Sequence, residues 1–116
     1  MQRLFRILGY EVARLDRFGK DPVADIGRLF NGRALEVIFD VGANEGQTSE
    51  QFAAAFPRAV VYSFEPFEPS FEKLSALAEG SVQVRPVRCA LGDVAAEMKL
   101  HVNSASVTNS LLPNAP

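Results

Sequence analysis

Asp40 and Glu65 are the residues of this chain best placed for chemistry, because each ends an apolar run. Val37-Ile38-Phe39 leads into Asp40, and Ala59-Val60-Val61-Tyr62-Ser63-Phe64 leads into Glu65. β-Branched and aromatic runs of this kind read as buried strands. Directly after Asp40 the chain breaks into Val41-Gly42-Ala43-Asn44-Glu45-Gly46. Gly42 and Gly46 supply positive φ or a close backbone approach that side chains forbid. Asn44 tolerates positive φ as a turn residue. In a doubly wound sheet the carboxyl ends of neighbouring parallel strands open on one crevice, so Asp40 and Glu65 are expected to flank one ligand. A carboxylate there suits a ribose, since its two oxygens accept from two vicinal hydroxyls.

The turn discriminates among nucleotide ligands. A dinucleotide fingerprint needs G-x-G-x-x-G, and Asn44 stands where the second glycine would let a pyrophosphate approach. Glu45 adds negative charge beside a helix N-terminus, which disfavours a phosphate. A Walker loop is excluded, because no Gly-Lys-Ser/Thr follows. S-adenosylmethionine fits better, as its sulfonium, ammonium and ribose diol are all complemented by carboxylates.

Three segments in order, Asp40-Val41-Gly42-Ala43-Asn44-Glu45-Gly46-Gln47-Thr48, Phe64-Glu65-Pro66 and Ala90-Leu91-Gly92-Asp93, resemble the N-terminal half of FkbM-type S-adenosylmethionine-dependent methyltransferases. The resemblance runs from about Leu35 to Leu112. It implies that Asp40, Gly42, Asn44 and Gly46 surround the methionine part of the cofactor, that Glu65 holds the ribose, and that Asp93 lies near the adenine. Phe67 carries two readings, an aromatic capping the sheet or an apolar wall against the adenine ring. The family continues into a Lys-Ile-Asp-x-Glu-Gly-like strand and a substrate half that this chain lacks. The resemblance therefore implies a truncated Rossmann-like α/β fold over residues 35–116, inactive by itself. The reaction implied is in-line methyl transfer to the oxygen of a small molecule or sugar, with alignment supplying much of the rate. No catalytic residue is assigned, because a general base would come from later strands.

The elements that must position these residues follow from pattern. Thr48-Ser49-Glu50-Gln51 reads as a capping box opening a helix from about Ser49 to Phe56, ended by Pro57. Phe52 and Phe56 lie one turn apart on its core side. Pro69 starts a helix through about Ala78 with Phe71, Leu74 and Leu77 buried, and Gly80 ends it. Val82, Val84 and Val87 mark a third parallel strand, which Pro86 assigns to an edge or a bulge. Ala96, Met98, Leu100 and Val102 alternate with Glu97, Lys99 and His101, which predicts an antiparallel strand with one wet face and His101 on the surface. Cys89 reads as a small core residue. Upstream, residues 1–34 read as a helical segment. An amphipathic helix is expected from Gln2 to about Phe18, then a short helix over about Val23 to Phe30 with Asp21 as cap and Pro22 at its first position. Asn103 to Pro116 reads as a loop or tail.

Composition excludes several classes. The 116 residues are 47% hydrophobic and 22% charged, as in an ordinary globular chain. No run of eighteen apolar residues offers a transmembrane span. A net charge of −2, split as +3 over the first 35 residues and −5 over the rest, gives no general attraction to nucleic acid. One His and one Cys cannot form a His/Cys zinc site. A lone cysteine excludes an internal disulfide and suits a reducing, cytoplasmic compartment. Two other function classes stay open: an NAD(P)-dependent oxidoreductase using the same strand ends, and a noncatalytic half-domain completed by a partner chain. A first strand without a neighbour on one side is an expected route to self-association. Glu65, read as a strand-end carboxylate, is expected to matter for binding and little for folding.

Overall fold

The computed structural model describes residues 19–102. The helix expected from Gln2 to Phe18 and the tail from Asn103 onward lie outside the described residues. The chain divides into two compact units, residues 1–32 and 33–116. In the first, α1 spans Pro22–Phe30. The Asp21 side chain accepts from Ala24 N at 3.0 Å, and Pro22 occupies the opening position where its missing N–H costs nothing. Asn31, in the left-handed region at φ 47°, ends the helix.

The second unit is a β-α-β-α-β run: β1 Val37–Val41, α2 Gln47–Ala55, β2 Val60–Phe64, α3 Glu68–Glu79 and β3 Val84–Val87. The strands form one parallel sheet in the order β1-β2-β3. Both crossovers step in the same direction, so the right-handed rule sends α2 and α3 to the same face. Register puts Ile38, Asp40, Val61, Ser63, Val84 and Pro86 on that face. Val61, Leu74 and Val84 are fully buried there, with Ala53, Phe71, Leu77 and Ala78 packed around the cluster of Ala43, Leu74 and Val84. Gln83 Nε2 closes the α2–β2 connection by donating to Phe56 O at 3.0 Å and Ala59 O at 2.8 Å. On the opposite face Phe39 packs edge-on against Tyr62 and Phe64, with ring centroids 5.8 and 5.7 Å apart. Val37, Phe39 and Val41 nevertheless remain 52%, 63% and 58% exposed, so this face is open.

β3 is an edge strand, as Pro86 requires. Gln83 O and Val87 O accept from β2, so the alternate position of Pro86 directs its missing donor away from the sheet. Two expectations are corrected, while Gly80 ends α3 as read. The capping box at Thr48-Ser49-Glu50-Gln51 is not used: Gly46, at φ 97°, is the N-cap and sends the chain straight into α2, so Ser49 already lies inside the first turn. Finally, no strand runs from Ala96 to Val102; His101 makes an isolated bridge, half-buried, while Val94 and Met98 are 70% and 63% exposed. Alternation marks a segment able to be a strand, but a strand exists only where a neighbour completes its ladder.

Candidate functional site

The site grows from the end of the sheet where β1 and β2 stop. Gly42 N and Ala43 N both donate to Phe64 O, at 2.9 and 3.0 Å, so the turn leaves β1 while still tied to β2. Three left-handed residues alternate through it: Gly42 at φ 77°, Asn44 at φ 50° and Gly46 at φ 97°. The two glycines differ in purpose. A Cβ on Gly42 would meet nothing within 4 Å, whereas one on Gly46 would stand 2.9 Å from Leu74 Cδ1 and 3.2 Å from Leu77 Cδ1. Gly46 thus lets α3 close against the start of α2, and Gly42 leaves open space above the strand end.

Glu65 is 8% exposed, and each of its oxygens is engaged. Oε2 accepts from Asn44 N at 2.9 Å and Oε1 from Phe67 N at 2.8 Å, so one carboxylate spans the glycine turn and the loop that opens α3. This corrects the reading of Glu65 as dispensable for folding. Removing it would leave two backbone donors without partners. Each oxygen keeps a second lone pair, which leaves acceptor capacity for a diol.

Asp40, also 8% exposed, sits under α2. Its Oδ2 accepts from Ser49 Oγ at 2.6 Å, and Ser49 Oγ lies 2.7 Å from Ser63 Oγ. Ser70 Oγ donates to Asn44 Oδ1 at 2.7 Å, linking the turn to α3. Ser49 and Ser63 are 0% exposed and Ser70 3%. Sequence reasoning missed all three serines. The available signal was small: a serine inside an apolar strand run and a serine in the turn after Pro69, each one needing a buried partner.

Glu45 pairs with Lys73 at 2.6 Å. That cation offsets part of the charge that would repel a phosphate, which leaves Asn44, in the place of a second glycine, as the feature that disfavours a pyrophosphate. Beyond Glu65, a cleft of about 280 Å³ is lined by Pro66, Cys89, Ala90, Leu91, Gly92 and Val94, with Ala96, Met98 and Leu100 closing it. Of the residues expected at a base, Phe67 is half-buried and serves as N-cap of α3, and the cleft wall is taken by its neighbour Pro66. Asp93 is exposed in the bend between Gly92 and Val94, and the cleft lining does not include it. Cys89, read as core, is half-buried on the cleft wall.

The arrangement brings Asp40, Gly42, Asn44, Gly46 and Glu65 to one end of the sheet, and a cleft whose side chains are apolar begins at Pro66, the residue after Glu65. Among the described residues no three His, Cys, Asp or Glu side chains come together as a metal site. No helix among them is long and apolar enough to cross a membrane. No protein-family model matches the chain, and no curated protein matches it.

Proposed function

We propose that this strand end binds S-adenosylmethionine and that the chain carries the cofactor half of a methyltransferase of Rossmann-like fold, acting on a small-molecule or sugar hydroxyl. One observation carries the reading: the glycine turn after β1 and the carboxylate after β2 are joined directly, through Asn44 N and Glu65 Oε2 at 2.9 Å. A ribose-reading carboxylate works only if its orientation is fixed, and here two backbone donors from different loops fix it. The donor set also suits the ligand chemically. Glu65 has acceptor capacity for two hydroxyls, Asp40 offers a second carboxylate for a cation, and the cleft beside Pro66 presents apolar walls to a flat base. When bound, the cofactor would supply a methyl group activated by its sulfonium. The residues of this chain would bind and orient it, and none of them is assigned a proton-transfer step. The single unpaired thiol, Cys89, suits a reducing, cytoplasmic setting.

Calorimetric titration with S-adenosylmethionine, S-adenosylhomocysteine and NAD tests the assignment. Binding of the first two in preference to NAD is expected. Tight NAD binding with no heat from S-adenosylhomocysteine would replace the reading with that of an oxidoreductase domain, and silence from all three would favour a noncatalytic half-domain.

A further inference from the structure

Two hydroxyls are fully buried beside Asp40, and burying a hydroxyl is costly unless it is hydrogen-bonded. Register sets Asp40 and Ser63 side by side on the face beneath α2, and Ser49, in the first turn of that helix, meets both. Ser49 Oγ lies 2.6 Å from Asp40 Oδ2 and 2.7 Å from Ser63 Oγ. Each hydroxyl has one proton, and an ionised carboxylate only accepts. Ser49 therefore donates to Asp40, and Ser63 must donate to Ser49. The chain of donors runs one way, from β2 through α2 to β1, and ends on a carboxylate oxygen.

Resting on the reading of this crevice as an S-adenosylmethionine site, we propose that Ser49 and Ser63 are positioning residues that fix Asp40 in one orientation, with Oδ2 tied inward and Oδ1 left to accept the ammonium of the ligand's amino-acid end. Neither serine needs to touch the ligand. Their effect passes through Asp40, so it should fall on ligands that carry the ammonium and spare those that lack it.

Two ligands separate this role from simple structural support. S-adenosylhomocysteine has the amino-acid end; 5′-methylthioadenosine keeps the nucleoside and lacks it. Titrated into the full chain, Ser49→Ala should weaken S-adenosylhomocysteine roughly tenfold, the scale of a lost hydrogen bond to a charged group, and leave 5′-methylthioadenosine within about twofold. Ser63→Ala should give a smaller loss of the same selective kind, and Ser49→Thr, which keeps a hydroxyl at this position, should regain S-adenosylhomocysteine affinity lost in Ser49→Ala. Circular dichroism establishes that each variant is folded, and if Ser49→Ala is not, Ser63→Ala carries the comparison. Equal losses for both ligands, or no loss for either, would overturn the proposal while leaving the cofactor reading intact. A wild-type chain that binds neither ligand would overturn the cofactor reading and this inference together.

Discussion

Glu65 ties the glycine turn to the loop that opens α3, and under the proposed function the same carboxylate would read the ribose. Its two oxygens hold Asn44 N and Phe67 N, so Glu65→Ala should cost roughly 2–3 kcal/mol of stability, the scale of two partly buried donors left unpaired. The check is urea denaturation of the full chain, and a variant as stable as the wild type would show that water replaces both bonds without loss. Glu65→Gln should recover little, since its amide turns a donor toward one of the two N–H groups. The glycines of the turn make a second comparison. Gly46→Ala places a methyl 2.9 Å from the fully buried Leu74 at φ 97°, so overpacking adds to backbone strain and the loss should reach roughly 2–4 kcal/mol. Gly42→Ala meets open space and should lose only ~1–2 kcal/mol from its positive φ. Equal midpoints for the two variants would contradict the distinction drawn between them.

At the level of elements, the sheet carries one packed face and one open face. Parallel sheets are normally covered on both sides. Here Val37, Phe39 and Val41 form an exposed apolar row, and their strand is at the sheet edge. Glu36 O and Gly42 N bond toward β2, so the intervening backbone groups at 37, 39 and 41 face outward along that edge. An open edge beside an apolar row favours association, which a lysine at its centre opposes. Phe39→Lys should therefore reduce the sedimenting mass at high concentration while leaving the helical signal unchanged and lowering the urea midpoint only modestly, by the loss of the ring contacts to Tyr62 and Phe64. Identical sedimentation of the two proteins would remove this strand from any account of self-association.

Across the whole molecule, what could be read from the sequence was what local pattern alone determines. The apolar runs ending on Asp40 and Glu65, the glycine turn between them, Asp21 as a cap and Pro86 at an edge each depend on a few neighbouring residues. What could not be read depends on partners distant in the chain. Ser49 looked like part of a capping box because nothing local shows that Gly46 has already started the helix, or that Asp40 and Ser63 lie beneath it. Glu65 looked like a wet strand end because one of its donors, Asn44 N, comes from the turn after β1, 21 residues upstream. The alternation from Ala96 to Val102 predicted a strand, and among the described residues no ladder neighbour completes it. The cofactor crevice proposed at the ends of β1 and β2 is open to an amide-resolved NMR titration with S-adenosylhomocysteine. Shifts should concentrate in three segments, 42–46, 65–67 and 89–94, with β3 and α1 unmoved. Shifts scattered over the open sheet face around Phe39, or none at saturating ligand, would contradict it.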